Sequence, residues 1–142
     1  MSESKAAGYG YGKKDFANAV KYNPDDYELY VGIYENLAGN NMTEEGEEYL
    51  NKAFDIKGNS AENLTWRGRI YYLLGQYDNA VKELEGAVKK DSAKANLYLA
   101  QVYEAEEDSA NAEKYYQAYV DSGTADSVAM NALAEIQMEK EL

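Results

Sequence analysis

The sequence predicts an all-α protein, an α-solenoid of antiparallel helix pairs with about eight helices. Three observations predict it. Four columns of residues recur every 34 positions: Ala19, Ala53 and Ala87; Phe16, Leu50 and Leu84; Gly12, Gly46 and Ala80; Pro24, Gly58 and Ser92. Within each period the apolar residues fall at helical spacing, three or four apart. Breaks such as Gly39-Asn40-Asn41 and Gly75-Gln76 divide the period in two. A period of this length marks helical units that cannot bury their apolar faces alone and therefore stack.

Residues 1–7 are expected to be a flexible N-terminus and 8–142 a single domain. Residues 8–24 fit only the second helix of a unit, with Gly12, Phe16 and Ala19 in register. Pro24-Asp25-Asp26 suits a helix start and opens the unit 27–60. Tyr30, Ile33, Tyr34 and Leu37 form its inward face. Thr43 is the expected cap of its second helix, followed by Leu50, Ala53 and Phe54 on the inner side. The unit 61–94 is the clearest. Leu64, Arg67, Gly68 and Tyr71 share one face of its first helix, and Ala80, Leu84, Ala87 and Val88 one face of its second. Lys89 and Lys90 sit in the last turn, where cations suit the helix end.

The unit 93–126 is shortened, because Ala112 follows Ala80 by two positions fewer than the period. The deletion is assigned to Asp91–Lys94. Leu99, Ala100 and Tyr103 line its first helix, and Ala112, Tyr115, Tyr116 and Tyr119 its second. The connecting turn at Glu106–Ser109 contains no glycine. Residues 124–142 are expected to form a capping helix begun by Thr124 or Asp126. Val128, Ala132 and Ile136 are its expected inner face. Glu135, Glu139, Lys140 and Glu141 make a polar outer one that keeps the end of a stack soluble.

Composition narrows the function. The chain has 14 basic and 26 acidic residues, a formal charge of −12. Such a surface repels phosphate backbones, so nucleic acid is not an expected partner. With no Cys and no His, the chain has no disulfides, no thiolate nucleophile, no zinc set of the usual kinds and no imidazole acid–base chemistry. Tyrosine dominates the aromatics, 15 against 2 Phe, which suits a half-exposed surface that packs rings and keeps hydroxyls wet. No apolar run reaches the length of a membrane span, and the polar start does not read as a signal peptide. A soluble protein is expected, cytoplasmic or, where a leader has been removed, bacterial extracytoplasmic. Carboxylates, Tyr and Lys form no defensible catalytic set, so no enzyme, cofactor or metal is expected. The glycine run Gly8–Gly12 before Lys13 lacks phosphate-loop spacing. Glu44–Glu48 lacks calcium-loop geometry.

These residues resemble the tetratricopeptide signature, W-x2-L-G-x2-Y, then A-x3-F, A and P, which spans the same period. Leu64, Arg67, Gly68, Tyr71, Ala80, Leu84, Ala87 and Ser92 take those slots in one unit. Tyr30, Ile33, Tyr34, Leu37, Gly46, Leu50, Ala53 and Gly58 take them in the unit before. In the shortened unit they are Asn96, Leu99, Ala100, Tyr103, Ala112, Tyr116, Tyr119 and Thr124. Tyr34 and Tyr119 stand where the pattern has small residues, and Arg67 where it has Leu. The resemblance implies a right-handed superhelix whose groove, lined by the first helix of each unit, binds a protein or peptide. The groove-side residues it projects are Glu28, Val31, Glu35, Glu62, Thr65, Trp66, Arg69, Tyr72, Leu97, Tyr98, Gln101 and Glu104. Trp66 reads either as an exposed anchor or as part of a second buried stripe with Ile70 and Leu73. The acidic groove suits a basic or neutral ligand. A homodimer through the half-unit 8–22 and a structural, self-assembling role in a longer solenoid are the alternative.

Overall fold

A computed structural model of the chain describes residues 13–123 and 126–142. The expected flexible 1–7, the run Gly8–Gly12 and the Thr124 cap lie outside them. Among the described residues there are eight helices and no strands: α1 Lys13–Tyr22, α2 Tyr27–Gly39, α3 Thr43–Ala53, α4 Ala61–Leu73, α5 Tyr77–Lys89, α6 Ala93–Ala105, α7 Ser109–Asp121 and α8 Ser127–Lys140. They fall into two compact units, one through Gly58 holding α1–α3 and one from Asn59 to Leu142 holding α4–α8.

One cap column sets the helix starts. Asp26, Ser60, Ser92 and Asp126 each accept a hydrogen bond from a backbone N–H three residues on, at Leu29, Asn63, Ala95 and Ala129. Each satisfies a donor that a helix start leaves unpaired. Successive caps are one period apart, except that Ser92 follows Ser60 two positions early. Ser92 is therefore the counterpart of Ser60 and Asp26, not of Gly58 and Pro24, and the fourth sequence column ends at Gly58. The shortening precedes Ser92, in the connection after Lys89. Thr43 does not cap α3 but is its first residue. Met42 holds the cap position, with no side-chain bond.

In the first unit, Phe16 and Val20 of α1, Tyr27, Tyr30, Ile33 and Leu37 of α2, and Leu50 and Ala53 of α3 are buried. The Tyr30 hydroxyl donates to the carbonyl of Pro24 at 2.9 Å, tying the start of α2 to the turn before it. Tyr34 takes a small-residue slot because Gly46 faces it: a Cβ on Gly46 would lie 3.0 Å from Tyr34 Cδ1.

In the second unit two clusters form the core. Ala80, Leu84 and Ala87 of α5 pack with Ala95, Leu99 and Val102 of α6. Leu97 and Ala100 of α6 pack with Ala112, Tyr116 and Tyr119 of α7 and Ala129, Leu133 and Ile136 of α8. Arg67, in a leucine slot, is accommodated by pairing: Nε donates to Glu83 Oε1 at 2.8 Å and Nη2 to Asn59 Oδ1 at 2.6 Å. The buried stripe of α8 is Ala129, Leu133 and Ile136, one helical step away from the expected Val128, which is 68% exposed. Nor is the outer surface of α8 uniformly polar, since Met130 and Met138 are exposed there.

Two substitutions test this packing. A Cβ on Gly68 would lie 2.3 Å from Leu84 Cγ. Gly68→Ala should therefore cost about 1–3 kcal/mol in a denaturant melt, and Leu84→Val should recover part of the loss. The turns after α2, α4 and α6 each place one residue at positive φ, Asn41 at 65°, Gly75 at 77° and Glu107 at 61°. A left-handed conformation costs a non-glycine roughly 1–2 kcal/mol. Glu107→Gly should raise stability by up to about 1 kcal/mol, because glycine's extra chain entropy offsets part of the gain.

Candidate functional site

The second unit contains an open cleft of about 770 Å³. Arg69 and Tyr72 of α4, Gln101 and Glu104 of α6, Tyr116 of α7, and Val128, Asn131, Ala132 and Glu135 of α8 line it. The helical period brings these elements together. Arg69 and Gln101 occupy the same place in α4 and α6, and so do Trp66 and Tyr98. Side chains at such places project from neighbouring first helices toward a common space.

Arg69 organises the cleft. Its guanidinium lies 5.4 Å from the ring centre of Tyr72 and 5.0 Å from that of Tyr98. Nη1 donates to Gln101 Oε1 across 3.4 Å. A partly desolvated cation–ring contact is worth roughly 0.5–2 kcal/mol. It engages the charge of the guanidinium rather than its N–H groups, which remain donors. On the other side of the space Tyr116 donates its hydroxyl to Glu104 Oε1. Burial, and then that bond and the Glu104 charge, push the Tyr116 phenol far above its usual value. It therefore stays a neutral donor throughout the physiological range. Glu135 adds an exposed carboxylate from α8.

Four of the projected residues, Arg69, Tyr72, Gln101 and Glu104, line this cleft, and Tyr98 adjoins it through its ring contact with Arg69. Thr65 does not belong to it. The side chain is buried, its hydroxyl donates to the Ala61 carbonyl at 2.7 Å and shares a 2.8 Å bond with Ser92 Oγ. That is a packing role, holding the first turn of α4 to the cap of α6. Val31 and Leu97 are core residues, 6% and 8% exposed. Trp66 is half-buried and does not line the cleft, while Ile70 beside it is fully buried. Glu62 is exposed at the start of α4. Glu28 and Glu35 are exposed on α2 in the other unit, where Glu28 borders a separate trough. Sequence reasoning missed Tyr116, Val128, Asn131, Ala132 and Glu135. The Asp126 cap would have found the α8 residues, because it fixes which of them share places with Arg69 and Gln101.

Among the described residues no group of three or more His, Cys, Asp or Glu side chains is arranged to hold a metal ion. No helix there is long and apolar enough to cross a membrane.

Residues 66–127 match the tetratricopeptide repeat family model. Two crystal structures of MamA are similar in fold, with TM-scores of 0.60 and 0.62 at 18% and 16% identity. The matches cover 89% and 99% of this chain and 75% and 78% of those chains. The crystal structure of YrrB, described as a TPR protein with an unusual peptide-binding site, matches with a TM-score of 0.54 at 20% identity. That match covers 88% of this chain and 66% of YrrB. A comparison with curated proteins finds no match. The fold these share is the α-solenoid of helix pairs.

The phenol of Tyr116 gives a pH test. Its folded value lies above the unfolded one, so the stability it contributes is full below about pH 10 and falls as pH rises further. Tyr30, Tyr49 and Tyr103 are raised by burial as well and add to the same slope. In denaturant melts between about pH 9 and 11 the chain should lose stability, and Tyr116→Phe should make that loss shallower.

Proposed function

We propose that this chain, a tetratricopeptide repeat protein, is a non-catalytic interaction module that holds a segment of a partner protein or peptide in the cleft of its second unit. The observation that carries the reading is Arg69 lying over the rings of Tyr72 and Tyr98 beside Gln101, in the lining of an open cleft. A guanidinium held between two rings and an amide oxygen is pre-organised, so less side-chain entropy is lost when it donates to a ligand. Aromatic and arginine side chains are the groups that most often dominate binding energy at such surfaces.

The cleft suits an extended, neutral or basic segment. Backbone carbonyls of that segment accept from Arg69. Glu104 and Glu135 take a lysine, an arginine or backbone N–H groups, and Val128 and Ala132 pack its apolar side chains. One cation faces two carboxylates across this space, which disfavours an acidic segment. The peptide-binding description of YrrB supports the class of ligand.

The test is a panel of short, unrelated peptides graded in charge from acidic to basic, titrated while the fluorescence of Trp66 is followed. Trp66 is the single tryptophan and lies one helical turn before Arg69. Neutral and basic members should bind, and Arg69→Ala or Tyr72→Ala should weaken the best of them by about tenfold or more. Binding that is indifferent to both changes would place the ligand elsewhere.

A further inference from the structure

We propose that the trough between α1 and α2 is the docking site for α8 of a second copy of this chain. The inference is independent of the cleft. It rests on how the second unit packs its own helices.

The trough encloses about 510 Å³ between Phe16 and Ala19 of α1 and Leu29, Gly32, Ile33 and Asn36 of α2. Its internal counterpart is filled. In register, Leu29, Ile33 and Asn36 of α2 correspond to Ala95, Leu99 and Val102 of α6; those three are fully buried, whereas Ile33 is buried and Leu29 and Asn36 are only half-buried. Phe16 and Ala19 correspond to Leu84 and Ala87 of α5. In the second unit this surface is covered by α4, through Leu64, Tyr71 and Tyr72, with Gly68 against Leu84. The trough is thus the seat of an α4-type helix running antiparallel to α1.

The face of α8 supplies such a helix. Asp126 caps α8 as Ser60 caps α4, so Met130, Ala134 and Met138 take the places of Leu64, Gly68 and Tyr72. They form the same stripe of two large residues around a small one, and all three are exposed, Met130 at 50% and Met138 at 66%. Docked in this way, Ala134 meets Phe16 as Ala100 meets Tyr116 where α6 crosses α7, and the methionines fill the apolar walls.

One polar feature agrees with this occupant. Asn36 Oδ1 is buried in the trough wall with no hydrogen-bond partner. Such an atom costs stability until a donor reaches it. Gln137 takes the place of Tyr71, beside Val102's counterpart Asn36, and is an exposed amide held by a long 3.4 Å bond to Glu113.

A head-to-tail contact of this kind joins different surfaces of two copies, and that dictates the test. Gly32→Glu fills the trough from a position with nothing within 4 Å of an added Cβ, so the fold is kept. Ala134→Glu charges the docking face of α8 at an exposed site. In sedimentation velocity the unaltered chain should associate increasingly with concentration, and each variant alone should be monomeric. An equimolar mixture of the two variants should form a 1:1 complex and nothing larger, since one intact trough and one intact α8 remain. Should either variant melt early, Gly32→Gln or Met138→Glu takes its place. A chain that stays monomeric at every concentration would overturn the proposal. So would a variant that associates unaided, as a symmetric contact requires, or a mixture that forms no complex.

Discussion

The approach of α4 to α5 at Gly68 is the constraint on which the second unit depends. The space a Cβ would need is already held by Leu84, so the two helices lie as close as bare backbone allows. That proximity lets α6 lie against both of them, with Ala95, Leu99 and Val102 sealed in the shared core. Arg69 is consequently within reach of Tyr98 and Gln101, almost one period away in sequence. The first unit meets the same need with the sizes exchanged, Tyr34 being large and Gly46 bare. One small residue per helix crossing is what the fold requires, and which helix supplies it is free to vary.

The cations of the second unit show how an acidic chain deploys arginine. Arg67 enters a slot built for an apolar residue and is neutralised there by Glu83, with Asn59 taking a second donor. Arg69, two residues on, lies over two rings instead. A cation–ring contact leaves the guanidinium donors unspent, whereas an ion pair consumes them. The ion pair serves packing, and the ring contacts leave chemistry to offer a ligand.

Much of the fold was legible because helical repeats reuse one packing solution, and the columns at Ala19, Phe16 and Gly12 report it directly. Register was harder to read. Ser92 sits one full period after Gly58, which disguised a cap as a member of another column. The same uncertainty displaced the inner face of α8 onto Val128, when the Asp126 cap puts Ala129, Leu133 and Ile136 there. In the cleft, Arg69, Tyr72, Tyr98, Gln101 and Glu104 were legible because equivalent places on first helices project together. Tyr116 was not, since on a second helix it reads as core, and only its bond to Glu104 turns it toward the cleft. Thr65 was projected onto the groove and bonds Ser92 instead, a contact distant in sequence that no local pattern announces.

The measurement that bears most directly on the cleft is an amide spectrum of the isotope-labelled chain, recorded with and without a peptide it binds. Repeat packing predicts that the shifted resonances gather on the facing sides of α4, α6 and α8, around Arg69, Tyr98, Gln101, Asn131 and Glu135. Shifts gathered instead on the far sides of α5 and α7, with those residues unmoved, would contradict it.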